Sequence, residues 1–244
     1  MNLSNIKAEF EQNGFVILRA FVDSQYCERI LEIAQTHLKY EIKPLEFEGE
    51  YIGRDELNSS VRRLRQVYDR DIVFKEWMEY PQIRPILKEL IGDEISLVLA
   101  HHNSIMTKLP HKSTQTSWHQ DIRYWNYTND NLISVWLALD NEDSNNGVLE
   151  FIPHSHKMSF DKSQFEDKDY FSTTNPKNKN LIDTKTSNTL HKGDVVIFHS
   201  KLLHRANKNN TDKSKISFVY TVKSQNNIAL DNTRSSKYRE IILK

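Results

Sequence analysis

Residues 118–140 read WHQDIRYWNYTNDNLISVWLALD. The second half, NLISVWLAL, is a largely apolar run with branched and aromatic side chains, bounded by Asp130 and Asp140, which predicts a buried strand. The first half sets His119 and Asp121 two residues apart. On an extended chain successive side chains alternate faces, so these two point the same way. An imidazole and a carboxylate side by side are two metal ligands. A second imidazole from a distant strand completes a set of two histidines and one carboxylate on one face of a metal, with the opposite face left open for chemistry, as in non-haem Fe(II) sites. His204 is the candidate for that third ligand, because it follows another strand-like run, DVVIFH at 194–199.

Working outward, strands are expected at 103–108, 116–122, 132–140, 147–152, 188–190, 194–199 and 216–223. Asn145-Asn146-Gly147 and Lys192-Gly193-Asp194 supply turn signals between them. The N-terminal half reads differently. A helix over 3–12, capped by Ser4, leads through Asn13-Gly14 into a strand at 14–18. Asp23 or Ser24 then caps a helix through His37, with Cys27, Ile30, Leu31, Ile33 and Ala34 on its apolar side. Residues 41–60 are polar and irregular, 62–68 extended, 72–91 helical up to Gly92, and 95–100 a strand. Helices first and antiparallel strands second predict an α+β fold. Its core is a double-stranded β-helix (jelly-roll, cupin-like), with the N-terminal helices packed on one sheet. Residues 158–187 are a polar insertion without periodicity, long for a structureless connection and therefore a candidate lid. No repeat or linker divides the chain, so 1–244 is read as a single domain.

Lys+Arg and Asp+Glu number 33 each, so the net charge is zero and nothing favours a nucleic-acid partner. No run of eighteen apolar residues predicts a membrane span, and the N-terminus lacks an apolar signal region. Cys27 is the only cysteine, which excludes an internal disulfide and fits a reducing, cytoplasmic setting. A small-molecule partner remains. Oligomeric state is not set by the sequence.

The ordered set NGFVILRAFV, WHQDIRYW, ISVWLALD, NNGVLEFIPHSHK, HKGDVVIFHSKLLHRAN and ISFVYTV resembles the phytanoyl-CoA dioxygenase family of Fe(II)/2-oxoglutarate-dependent oxygenases, over roughly residues 5 to 223. The resemblance implies that His119, Asp121 and His204 hold the iron and carry catalysis. It implies that 2-oxoglutarate and O2 are cosubstrates, with ascorbate as an accessory reductant. It places Trp136 near the cosubstrate and Gln120 between the first two ligands. The phrase IPHSHK matches the family's Pro-Gly-Ser-His turn with His154 at the glycine, and His156 is read as structural. An aspartate at 121, where halogenating relatives carry a small residue, implies hydroxylation. One departure stands out. The family's arginine for the distal carboxylate of 2-oxoglutarate is missing from the last strand. Lys213 by strand alignment, or Lys215 by ungapped count from His204, occupies its place with the same parity. A lysine neutralises a carboxylate as a point charge but lacks the arginine fork. Arg205 has opposite parity to His204 and is expected to point away.

Arg54, Arg62, Arg63, Arg65 and Arg70 concentrate positive charge in 54–70. The resemblance places this region over the pocket, where these arginines, Arg65 among them, would bind an anionic substrate group or the 2-oxo acid; the alternative is a solvated charged face. Tyr124 and Trp125 line the mouth or pack on the sheet. His101 and His102 are not both expected to face inward from one strand. Two further readings stay open: a metal-binding member of the fold without turnover, and a metal-free binding module, which leaves the triad without a purpose. The substrate is read as small, and anionic or lipid-linked.

Overall fold

The structure, a computed structural model, describes residues 2–243. Helix α1 (Leu3–Asn13) leads into strand β1 (Phe15–Leu18) and helix α2 (Ser24–Lys39). Asn2 caps α1 by accepting the Ser4 amide, so the cap lies two residues before the expected Ser4, and Asp23 caps α2 as expected. Next come β2 (Leu45–Phe47), α3 (Glu48–Ile52), β3 (Val61–Arg65), α4 (Ile72–Met78) and α5 (Arg84–Ile91). The single helix expected over 72–91 is thus two helices. Tyr80, held extended in front of Pro81, breaks it. The later elements are β4 (Ile95–Val98), β5 (Ser104–Lys108), β6 (Thr116–His119), β7 (Leu132–Ala138), β8 (Leu149–Phe151), α6 (Pro176–Ile182), β9 (Thr186–Ser187), β10 (Val195–His199), β11 (His204–Ala206), β12 (Lys215–Ser224) and β13 (Glu240–Leu243).

Two antiparallel sheets form the double-stranded β-helix. The larger has nine strands in the order β1-β10-β7-β12-β5-β3-β2, with β4 pairing β12 and β13; the smaller runs β6-β11-β8-β9. The centre of the large sheet, β7, β10 and β12, is buried on both faces, which is why these strands read as largely apolar runs. On β7, β10 and β12, Ile133, Val135, Leu137, Val195, Ile197, Phe218 and Tyr220 pack against Cys27, Ile30, Phe74, Trp77 and Leu87 of the helices. The alternate side chains, Trp136, Ala138, Val196, Phe198 and Val219, turn inward toward the small sheet. The period of two therefore decides which residues of one strand support the helices and which can line a site.

The insertion at 158–187 is not structureless. Phe160, Phe165, Phe171, Leu181 and Ile182 build a small core against Trp118, Ile152 and Leu203. Those five are irregularly spaced in sequence, so no periodicity announces them. The strand expected at 188–190 forms instead at Thr186–Ser187, with Leu190 making an isolated bridge to Glu142. Among the described residues no helix is long and apolar enough to cross a membrane.

Candidate metal centre and its cavity

Strands β6 and β11 lie side by side in the small sheet with His204 directly opposite His119. The two rings stand 4.2 Å apart. The expected strand over 116–122 stops at His119, and Asp121 opens a 3₁₀ turn. Gln120 between them is still extended (φ −116°, ψ 125°), so the alternation carries through and both flanking side chains point to one side. Asp121 Oδ1 lies 3.6 Å from His119 Nε2 and 3.9 Å from His204 Nε2. One ligand atom from each of the three falls within 4.8 Å of the others.

The surroundings fix how these groups present themselves. His119 Nδ1 donates to the Ser117 carbonyl at 2.8 Å, and His204 Nδ1 donates to the Leu202 carbonyl at 2.9 Å. A carbonyl can only accept, so Nδ1 carries a proton in both rings, and the neutral imidazole then presents its Nε2 lone pair to the site. Burial, reinforced by His119, holds His204 down to about 3, which keeps it neutral. Burial opposes ionisation of Asp121, but His102, His204 and His119 outweigh it and hold the carboxyl well below the usual range. Two imidazole lone pairs therefore converge on a carboxylate oxygen, acceptor against acceptor. That arrangement is unfavourable alone and complementary to a divalent cation that takes nitrogen and oxygen together. Ser134 donates to Asp121 Oδ2 at 3.3 Å, and His102, 3.0 Å from the same hydroxyl, brings its Nε2 to 3.4 Å from Asp121 Oδ1. Neither support was legible in the sequence. His102 reaches inward because β4 ends at Val98 and His102 takes a left-handed φ of 39°, so strand parity no longer applies and both His101 and His102 border the cavity.

The triad opens into a cavity of about 280 Å³ between the sheets. Lys108, Lys215 and Trp136 are buried along its floor, while Tyr124 is 41% exposed on its solvent side. Of the two candidate lysines, Lys215 faces the cavity. Lys213 does not: it sits in the exposed turn before β12, where its carbonyl accepts from Asn209. Lys215 Nζ is 2.9 Å from the fully buried Glu142 and 5.0 Å from the Trp136 ring. Glu142 also accepts from the Trp136 indole at 3.1 Å and from Ser217 at 2.6 Å. Lys108, unforeseen, is paired across the sheet with Lys215 and donates to the Thr114 carbonyl at 2.6 Å. Burial, then Arg62 and Lys215, push its ammonium down to about 7, with Glu48 opposing. No carboxylate partners it among the described residues.

Gln120 is buried but turns away from the cavity, its amide donating to the Lys201 carbonyl at 2.5 Å. Arg65 does not line this cavity but the smaller concavity beside it, with its guanidinium 3.9 Å from Glu46, whereas Arg62 and Arg63 border the main cavity. Those two are held by acids, Arg62 by Glu48 at 3.2 Å and Arg63 by Glu46 at 2.6 Å. Arg54 is exposed, and Arg70 donates to the carbonyls of Arg65 and Ile42 at 2.8 Å each. Arg205, expected to point away, borders the cavity with its guanidinium bonded to Glu150 and 4.9 Å over the Trp118 ring. Trp125 is buried and packs on both His101 and His102. His154 takes the left-handed conformation (φ 67°) of the glycine it replaces, and His156 is buried with Nε2 3.1 Å from the Glu11 carbonyl.

The family model described as phytanoyl-CoA dioxygenase (PhyH) matches residues 10–217. The chain is 26% identical over 216 residues to the peroxisomal phytanoyl-CoA dioxygenase of Bos taurus, covering 82% of this chain and 62% of the relative. It thus spans about three fifths of that relative's length. It is 22% identical over 218 residues to a probable alpha-ketoglutarate-dependent hypophosphite dioxygenase of Stutzerimonas stutzeri, covering 83% and 72% of the two chains. Among solved structures, EctD from S. alaskensis with bound Fe superposes with a TM-score of 0.78 at 17% identity, over 98% and 82% of the chains. The epimerase SnoN from nogalamycin biosynthesis, in complex with Fe3+, alpha ketoglutarate and nogalamycin RO, superposes with 0.77 at 18% identity, over 99% and 95%. These two likenesses establish the shared jelly-roll fold.

Proposed function

Because the chain belongs to the phytanoyl-CoA dioxygenase family, we propose that it is an Fe(II)- and 2-oxoglutarate-dependent dioxygenase that hydroxylates a small molecule. The observation that carries this reading is the convergence of two free Nε2 lone pairs and one carboxylate at the mouth of a cavity whose floor is cationic. His119, Asp121 and His204 would hold the iron. Lys215 and Lys108 would face the distal carboxylate of 2-oxoglutarate, with Trp136 as the wall beside it. Bound iron, 2-oxoglutarate and dioxygen supply the oxidative decarboxylation to succinate and carbon dioxide that drives C–H hydroxylation. The protein's own part is placement. The Ser117 and Leu202 carbonyls hold the imidazole protons on Nδ1, Ser134 and His102 orient Asp121, and Leu149, Phe198 and Val219 keep water from the inner wall.

We read the whole chain as one such domain, with 158–187 as a lid, and its lone buried cysteine fits the cytoplasm. The test is turnover without prime substrate: purified protein with Fe(II), ascorbate and 2-oxoglutarate should release succinate. His119→Ala and Asp121→Ala should lose both succinate formation and stoichiometric Fe(II) binding while melting near the wild type. Full iron stoichiometry in His119→Ala would remove the assignment of the triad. Iron binding without succinate would favour the second reading, a member of the fold that binds metal without turnover.

A further inference from the structure

The cations that border the cavity differ in whether an acid already holds them. Arg62, Arg63, Arg205 and Lys215 each have a carboxylate partner, from Glu48, Glu46, Glu150 and Glu142. Lys108 lies on the floor with the cosubstrate lysine. The last cation, Arg234, comes from the segment before β13 and borders the same cavity as the triad. Its side chain has no hydrogen-bond or ion-pair partner among the described residues. A smaller concavity beside it is lined by Arg63, Arg65, Arg234 and His102. Three guanidinium groups therefore border one concavity, and a single carboxylate, Glu46, serves Arg63 at 2.6 Å, Arg62 at 3.5 Å and Arg65 at 3.9 Å. Burial and the nearby Arg65 and Arg63 work against the charge of Arg234 and lower its pKa. Such a cluster is complementary to an anion supplied from outside.

The position of Arg234 is fixed by its neighbour. Ser235 is buried, its hydroxyl 2.8 Å from His101 Nε2, and it accepts the Asn126 amide at 3.0 Å. His101 in turn stacks on Trp125 at 5.2 Å. The C-terminal segment is thereby tied to the stretch that follows the metal motif. His102 borders both concavities and stands 3.4 Å from Asp121, so one imidazole separates the Arg234 concavity from a candidate metal ligand. Arg234 also lies beyond residue 217, where the family match ends, so it is a feature of this chain rather than of the matched region.

We propose that Arg234, with Arg63 and Arg65 beside it, binds an oxyanionic group, carboxylate or phosphate, of the prime substrate. This rests on the oxygenase reading of the triad and deepens it: the substrate is a short organic acid or phosphate monoester whose carbon nearest the anion reaches the metal face. The small cavity agrees with a compact substrate. Hexanoate, hexyl phosphate and 1-hexanol serve as probes, titrated calorimetrically under nitrogen into protein loaded with Fe(II) and saturating 2-oxoglutarate, so that the cosubstrate site is filled. One of the two anions should bind the wild type more tightly than hexanol, and the better of them identifies the oxyanion. Arg234→Met should weaken that binding about tenfold or more, since a charge-assisted contact is lost. Arg234→Lys should retain part of it, as a point charge without the fork. Fe(II) and 2-oxoglutarate affinities, measured in the same samples, should not change. An anion that binds Arg234→Met as it binds the wild type, or binds the wild type no better than hexanol does, overturns the proposal alone. A wild type that takes up neither Fe(II) nor 2-oxoglutarate overturns the reading of the site and this proposal with it.

Discussion

Lys108 and Lys215 are cross-strand partners on β5 and β12, so two ammonium groups stand together on the cavity floor. Directly opposed like charges destabilise a sheet. Glu142 offsets Lys215, and Lys108 is left to lower its proton affinity to about 7. In the unfolded chain a lysine keeps its proton to about pH 10. The cost to folding is therefore present in full below pH 7 and fades as pH rises toward 10. Wild-type melting temperature should climb across that window relative to Lys108→Met, and parallel curves would show that Lys108 is not the group responsible. The two lysines offered by the sequence also separate here. Lys213→Ala, on an exposed turn, should leave 2-oxoglutarate binding unchanged. Lys215→Ala should weaken it strongly and also destabilise the fold by about 3 kcal/mol, because Glu142 is left charged and buried. The double variant Lys215→Ala/Glu142→Gln should recover the stability but not the binding. Parity alone could not choose between positions 213 and 215, because both have the same one; the choice fell to where β12 begins.

At the scale of elements, the candidate metal centre depends on β11, a strand of three residues between β6 and β8. So short a strand needs fixing from outside its ladder. The buried Ser155 hydroxyl accepts the Leu203 amide at 2.9 Å, and the Ile152 amide donates to the Leu203 carbonyl at 2.9 Å. The IPHSHK turn thus has its role through Ser155, one residue before the histidine that drew notice. Ser155→Ala should cost about 1–3 kcal/mol, as a buried amide loses its acceptor. It should also weaken Fe(II) binding, because His204 follows Leu203 directly. A variant that loses stability with unchanged iron affinity would uncouple the turn from the site. β11 itself was not legible, since LLHRAN is too short and mixed to read as a strand.

Across the whole molecule, the cavity lies between the two sheets and the insertion closes one side of it. Tyr170 from the insertion donates to the Tyr51 hydroxyl at 2.6 Å, and the Arg62 guanidinium sits 3.5 Å over the Tyr51 ring. Arg123 holds Asp169 at 2.7 Å, and the Tyr124 hydroxyl donates to the Lys168 carbonyl at 2.6 Å. Lys168 and Asp169 both take positive φ, 63° and 58°, so the tip of the insertion is held by these contacts rather than by local preference. Tyr170→Phe removes one hydrogen bond, about 1 kcal/mol. Amide exchange over residues 166–171 should then quicken while Fe(II) affinity stays the same. Unchanged exchange there would show that the Tyr170–Tyr51 contact does not hold the insertion down.

Local chemistry was enough to determine the strand-rich core, the capped helix α2 and the grouping of His119 with Asp121, because each follows from the alternation or capping of neighbouring residues. The place of Trp136 beside the cavity came from the family resemblance, and the structure sets it on the inner face of β7. Tertiary structure alone decided which charges are already held by partners. Arg62 and Arg63 look available in sequence and are bound by Glu48 and Glu46, whereas Arg234, far along the chain, is brought beside them with no side-chain partner among the described residues. It likewise set Glu142 against Lys215 and His102 against Asp121, and it gathered five scattered apolar residues into the core of the insertion. Pairings between residues tens of positions apart leave no period in a sequence. They are settled only when the sheets close and the cost of burying a charge selects its partner.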